Sequence, residues 1–202
     1  MYEKLSKIYE GVWYPLFQKS FKKVCGHINS QNPKSVLEVG IGPGSTIKFY
    51  DPSINLTGVD VSKQMIDIAQ KKVDKHNLKN VTVLTTDPDS YPFEEQSFDI
   101  AVTFSVVTVV PEPIDFIKSI VAMIKPGGYL YVVGHFQKVD THELLKSFDQ
   151  LFDPVTKKLM GFTMKLKEED LKKINNIELV EKFTATNMLN FPFNTCLVFK
   201  VI

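Results

Sequence analysis

Arginine is absent from this chain: all 24 basic residues among its 202 are lysine. No planar guanidinium is available to grip a carboxylate or phosphate with two parallel hydrogen bonds, so anions must be met by lysine, hydroxyls or backbone N–H groups. Charge of one sign is also lacking. The formal net charge is +1, too small to draw the protein globally onto nucleic acid or an acidic surface. Cysteine is scarce: Cys25 and Cys196 stand at opposite ends with no CxxC pair, which favours two buried, reduced thiols over a disulfide. No segment reaches the roughly 20 apolar residues of a membrane span. The start, MYEKLSKIYEG, has no apolar core of signal-peptide type, and a cytoplasmic protein is expected. The histidines His27, His76, His135 and His142 are scattered without ligand spacing, so no metal site is expected.

What is present is an ordinary globular mixture, 44% apolar and 23% charged, sufficient for one buried core. The length suits a single domain over residues 1–202. Residues 1–30 carry Leu5, Ile8, Tyr9, Val12, Trp13, Leu16, Phe17, Phe21 and Val24 at spacings of three and four. That pattern predicts two helices, with Pro15 in the first turn of the second. From residue 33 onward short apolar runs alternate with helical patterns. Strands are expected at Ser35–Val39, Asn55–Val59, Val81–Thr85, Phe98–Phe104 and Tyr129–Val133. Helices are expected from Ser45, over Ser62–His76 and Pro113–Ile124, and at Thr141–Phe152 and Glu168–Asn175. Pro126-Gly127-Gly128 reads as a helix stop. Glu178–Thr186 and Thr195–Val201 alternate as strands around a turn at Asn190–Asn194, with no room for a helix between them. The expected fold is α/β: a doubly wound, mostly parallel seven-stranded sheet, a C-terminal antiparallel hairpin, and an N-terminal helical lid (1–30) on the core (33–202).

The strongest chemical signal is Val36-Leu37-Glu38-Val39-Gly40-Ile41-Gly42-Pro43-Gly44-Ser45. A strand ends, glycines permit a tight turn against a ligand, and the chain turns towards a helix. Twenty residues after Gly40 comes Asp60, ending the second strand, where a carboxylate accepts hydrogen bonds from ribose hydroxyls. A nucleoside derivative is the expected ligand. The spacing is G-x-G-x-G rather than the G-x-G-x-x-G of dinucleotide sites, which counts against a nicotinamide-dependent oxidoreductase.

The succession LEVGIGPGS, GVDVSKQMI, TTDPDSYPF, SFDIAVTFSVV and KPGG resembles the class I, Rossmann-like S-adenosylmethionine-dependent methyltransferases along most of residues 30–135. The resemblance implies S-adenosyl-L-methionine as methyl donor and S-adenosyl-L-homocysteine as product. It implies that Gly40, Gly42 and Gly44 bring main chain to the methionine and ribose moieties, with Glu38 as countercharge to the methionine amino group. Asp60 would hold the ribose diol, Val61 and Met65 would flank the adenine, and Asp87 would accept from the adenine amino group. Pro88 stands where the family often has alanine and removes an N–H that would otherwise face the adenine ring. Phe104 and Ser105 would pass beneath the methionine moiety.

Among subfamilies, the start YEKLSKIYEGVWYPLF, the stretch VVTVVPEP and the pair His135-Phe136 resemble bacterial phosphatidylethanolamine N-methyltransferases. Quinone-pathway and other small-molecule methyltransferases share the tyrosine-acidic pairs Tyr2-Glu3 and Tyr9-Glu10. The acceptor implied is a lipid or another small molecule, with His135 as the group that takes its proton and Tyr9 and Tyr14 as lid residues near the donor. The apolar stretch Ser105–Pro111 lacks the Asn/Asp-Pro-Pro-aromatic signature of many nucleic-acid amino-methyltransferases, which argues against DNA as a partner. An RNA methyltransferase and a cofactor-binding protein without turnover are the alternatives. Trp13, Leu16 and Phe17, with Lys19, Lys22 and Lys23, suit either a lid or a peripheral membrane contact.

Overall fold

Val36, Leu37 and Val39 are buried on both faces of the first strand, as expected of a parallel sheet covered on each side. The computed structural model describes residues 14–86, 91–107, 109–134, 136, 167–188 and 191–202; for 14–16, 187, 188 and 191–193 it describes the backbone alone. In chain order the elements are α1 (Tyr14–Ser30), β1 (Ser35–Val39), a 3-10 turn (Ile47–Phe49), β2 (Asn55–Asp60), α2 (Lys63–Lys75) and β3 (Val81–Thr85). They continue with β4 (Phe98–Phe104), α3 (Pro113–Ala122), β5 (Ile124–Gly134), α4 (Glu168–Leu171), β6 (Ile177–Met188) and β7 (Phe191–Val201).

The seven strands form one sheet in the order β3-β2-β1-β4-β5-β7-β6. β1 pairs in parallel with both β2 and β4, β2 with β3, and β4 with β5. β7 then runs antiparallel to β5 and to β6. The expected mostly parallel sheet with its closing hairpin is therefore observed. Two apolar layers flank it. One gathers Val24, Cys25 and Ile28 of α1 and Ile66, Ala69 and Val73 of α2 against Val36, Leu56 and Val102. The other gathers Phe116, Ile117 and Ile120 of α3 with Leu171 against Leu37, Leu130 and Leu197. Both thiols are free and buried.

Four boundaries differ by more than two residues from the sequence reading. The helix expected from Ser45 is a single 3-10 turn, whose N-cap residue Thr46 makes no side-chain cap because its hydroxyl is bound to Glu38. Pro52 follows closely and biases Asp51 towards extended backbone, which stops further winding. The helix expected over Glu168–Asn175 ends at Leu171; the bonds from Lys173 to Asp170 and from Ile174 to Leu171 then tighten to three-residue spacing, and Asn176 takes a left-handed φ of 67°. The Lys125–Gly128 segment does not precede β5 but bulges within it, since Phe98 faces Ile124 while Ile100 faces Tyr129. Gly128 is required there, because a Cβ would lie 2.5 Å from the Asp99 carbonyl oxygen. The hairpin strands extend into the expected turn, with Met188 facing Phe191. The N-terminal helical segment is described from Tyr14, with Pro15 in the first turn of α1 as expected; the helix expected ahead of it and the one expected at Thr141–Phe152 lie outside the described residues.

Candidate functional site

Strand order reverses between β1 and β4, so the carboxyl ends of β1, β2 and β4 border one crevice, the usual ligand position of an open α/β sheet. At the end of β1, Gly40, Gly42 and Gly44 all take positive φ, at 79°, 54° and 71°. Gly40 and Ile41 donate their N–H groups to the Val59 carbonyl at 2.8 and 3.0 Å, which pins the turn to β2. The three glycines are needed for different reasons. A Cβ on Gly40 would stand 2.1 Å from Val106 Cγ2, and one on Gly44 would stand 2.6 Å from Ile47 Cδ1 and 3.1 Å from the Ala69 Cβ; one on Gly42 would meet nothing within 4 Å. Only Gly40 and Gly42 line the cleft. Gly44, expected to bring main chain to the ligand, instead lets α2 pack closely against the 3-10 turn.

The cleft has a volume of about 250 Å³. Its two acids are held differently. Asp60 Oδ2 accepts the Gly42 N–H at 2.9 Å and Oδ1 accepts the Ser62 N–H at 2.8 Å. Burial pushes its carboxyl up and these two donors oppose the rise. Each oxygen keeps a further lone pair for a ligand hydroxyl. Ser62 also caps α2, accepting from Met65 N–H at 3.4 Å, so carboxylate, helix start and glycine turn form one unit. Glu38 is 1% exposed. Thr46 Oγ1 donates within 2.8 and 2.9 Å of its two oxygens, and the Tyr50 hydroxyl donates to Oε2 at 2.7 Å. Burial raises its carboxyl to about 7, against the pull of the Tyr50 and Thr46 hydroxyls. No lysine lines the cleft among the described residues.

Apolar groups complete the wall. Val61 is 61% exposed at the rim and Met65 stands beside it in the lining. Phe21 from α1 meets Phe104 at the end of β4 edge-to-face, ring centroids 5.2 Å apart, and both face the cleft. Ser105 itself is not in the lining; it takes φ 61° and donates its N–H to the Val133 carbonyl at 2.7 Å. Asp87, Pro88, Tyr9 and His135 lie outside the described residues. Thr46, Tyr50 and Phe21 are the site residues that sequence reasoning missed. No spacing rule links Tyr50 to Glu38, because their meeting depends on how the 3-10 turn folds over β1.

α1 is fixed over this region by the hairpin. Lys23 Nζ donates to the Thr184 carbonyl at 2.7 Å and lies 5.3 Å from the Phe183 ring centroid. His27 Nδ1 lies 2.9 Å from the Tyr131 hydroxyl and Nε2 lies 3.1 Å from Glu181. Phe17 is buried beside Phe21, so its side chain packs inside the fold. Trp13 and the Leu16 side chain lie outside the described residues, and no described helix is long and apolar enough to cross a membrane. A larger hollow of about 490 Å³ lies by the end of α3, lined by Ile114, Lys118, Asp170 and Lys173 among others. It sits where the chain enters β5, not at the carboxyl ends of the strands, and has neither a glycine turn nor a buried acid. Among the described residues no cluster of three or more His, Cys, Asp or Glu is placed to hold a metal.

Comparison with known proteins agrees with this geometry. Residues 37–132 match the family model described as a methyltransferase domain. The chain is 30% identical over 132 residues to a phosphatidylethanolamine N-methyltransferase of Cereibacter sphaeroides, covering 65% of this chain and 64% of that protein. It is 26% identical over 175 residues to a demethylmenaquinone methyltransferase of Lactococcus lactis, covering 85% of this chain and 66% of that one. In each case the match spans somewhat less than two thirds of the relative's length. The fold matches a crystal structure of an S-adenosylmethionine-dependent methyltransferase from Thermotoga maritima with a TM-score of 0.71, at 18% identity and over 100% and 98% of the two chains. Residues 37–132 thus match a methyltransferase domain, and the chain has the Rossmann-like fold of solved S-adenosylmethionine-dependent methyltransferases.

Proposed function

We propose that this protein transfers a methyl group from S-adenosylmethionine to an amphiphilic or small-molecule acceptor, with the amine of phosphatidylethanolamine as first candidate. The observation that carries the donor is the cleft itself: a glycine turn at which a Cβ on Gly42 would stand in open space, between two carboxylates with no lysine beside them among the described residues. Such a site suits a ligand that brings its own positive charge. Asp60 takes the ribose diol, which its two remaining lone pairs can accept. Exposed Val61 and half-buried Met65 offer an apolar shelf to the adenine. Glu38, buried and hydrogen-bonded by the Thr46 and Tyr50 hydroxyls, takes the donor's ammonium group. Phe104 and Phe21 close the methionine end against water.

The donor supplies a methyl group on a sulfonium sulfur; a nucleophile's lone pair attacks the carbon in line as the carbon–sulfur bond breaks. The protein's part is to hold the nucleophile about 3–3.5 Å from that carbon. A protonated amine, with an ordinary pKa near 10, must first lose a proton; His135 is the candidate to take it, and Tyr9 to shape the lid. The acceptor class rests on the relatives, whose names specify a phospholipid, demethylmenaquinone and, for a relative in Coxiella burnetii, a ubiquinone-pathway O-methylation. A quinone-type phenol is therefore the second reading, favoured by the 85% of this chain that the demethylmenaquinone enzyme covers.

The test is incubation with methyl-labelled donor and separate phospholipid, quinone, small-amine and RNA fractions. Label in phosphatidylethanolamine is expected. Label in the quinone fraction alone selects the second reading, and label in RNA alone overturns both. No transfer to any fraction despite donor binding makes this a binding protein without turnover.

A further inference from the structure

The cleft provides for a nucleoside and for a cation, but the methionine moiety also ends in a carboxylate. Three facts restrict what can meet it. The chain has no arginine. No lysine lines the cleft among the described residues, and the two charged side chains that do, Glu38 and Asp60, would repel an anion. The hydroxyl of Thr46, which also lines the cleft, is committed to Glu38 at 2.8 and 2.9 Å.

Ser45 differs from all of these. It lines the cleft, it is only 8% exposed, and its buried Oγ has no hydrogen-bond partner among the described residues. A buried hydroxyl without a partner carries a desolvation cost that a partner would remove. Its neighbour Thr46 binds Glu38, so Ser45 stands at the same end of the cleft as the group assigned to the ammonium. An amino acid carries its ammonium and carboxylate on one carbon, so a ligand that places the first beside Glu38 brings the second near Ser45.

We propose that the Ser45 hydroxyl is the specificity-determining donor to the carboxylate of the methionine moiety, in place of a basic side chain. The proposal rests on the reading of the cleft as an S-adenosylmethionine site. It means that the protein separates full-length donor and product from adenosyl thioethers lacking the carboxylate by one charge-assisted hydrogen bond, worth about ten-fold or more in affinity.

Calorimetry with the full chain tests this, using S-adenosylhomocysteine and its decarboxylated analogue, 5′-(3-aminopropylthio)-5′-deoxyadenosine. The wild type is expected to bind the first about ten-fold more tightly. Ser45→Ala removes one oxygen and adds no bulk; it is expected to lose about ten-fold for S-adenosylhomocysteine and nothing for the analogue, so that the two ligands become equal. A wild type that binds both alike overturns the proposal without any variant. So does a Ser45→Ala protein, folded by its melting temperature, that keeps the wild-type ratio, because the carboxylate is then held by another group. If S-adenosylhomocysteine does not bind the wild type at all, the cofactor reading fails and this inference fails with it. Binding with an unaltered ratio sinks the Ser45 assignment alone.

Discussion

Replacing Glu38 by glutamine removes the charge from the most deeply buried acid of the site and keeps its shape. In the folded protein the carboxyl is pushed up to about 7 from an ordinary 4.5, chiefly by burial. Between those values the folded state holds a proton that the unfolded chain has released. Stability must therefore fall as pH rises through this window, with the full loss reached above pH 7. At 1.36 kcal/mol per pH unit the loss is about 3 kcal/mol, a large part of an ordinary domain's stability. The glutamine side chain of the variant does not titrate. Its amide nitrogen must face either Thr46 or Tyr50, a cost of about 1–2 kcal/mol that is the same at every pH. Urea unfolding of both proteins at pH 5 and pH 8 isolates the effect, since every other titrating group cancels in the difference. The difference between Glu38→Gln and wild type should move by about 2.5 kcal/mol in favour of the variant on going from pH 5 to pH 8, because part of the loss has already occurred by pH 5. Donor binding should move oppositely. A bound ammonium draws the carboxyl back down, so wild-type affinity for S-adenosylhomocysteine rises towards pH 7 and levels above it. The variant should bind about 1.5–3 kcal/mol more weakly at pH 8, with that pH dependence gone. A stability difference identical at pH 5 and pH 8 would refute the reasoning, because Glu38 would then titrate as an ordinary carboxylate.

Asp60→Ala should weaken S-adenosylhomocysteine binding by about 1.5–3 kcal/mol in calorimetry, and unchanged affinity in a folded variant would remove Asp60 from the ribose. Gly40→Ala and Gly42→Ala should separate fold from site. The first forces a Cβ to 2.1 Å from Val106 at φ 79° and should cost about 2–4 kcal/mol in urea unfolding. The second meets no atom within 4 Å, so its stability cost should stay near 1–2 kcal/mol while donor affinity falls; equal losses of stability would refute the distinction. If the acceptor is a membrane lipid, the exposed Lys19 and Lys22 of α1 should add about 1 kcal/mol each at an anionic surface, less at high salt. Lys19→Glu/Lys22→Glu should then sediment less with anionic vesicles at unchanged donor affinity, and a wild type that ignores vesicles of every composition ends the membrane reading. Lys23 is unsuitable for that test, because it is bound to Thr184 and Phe183.

Local patterns determined a great deal here. Short runs of apolar residues buried on both faces mark parallel strands, so β1 to β4 were legible where they lie. Glycine spacing and Asp60 marked the turn, because positive φ and a strand-end carboxylate are requirements on individual residues. Other features were decided only by tertiary structure. Gly44 reads in sequence as a ligand-facing glycine, yet its lack of a side chain serves Ala69 and Ile47. Phe17 suits a membrane as well as a core until α1 docks and buries it. The network of Glu38, Thr46 and Tyr50, and the buried hydroxyl of Ser45 beside it, depend on the 3-10 turn folding over the end of β1. Periodicity records which face of an element is apolar, and residue type records what a backbone or a charge requires. Neither records which polar groups meet inside the fold or how deeply they are buried, and burial, opposed by the Thr46 and Tyr50 hydroxyls, sets the charge on Glu38.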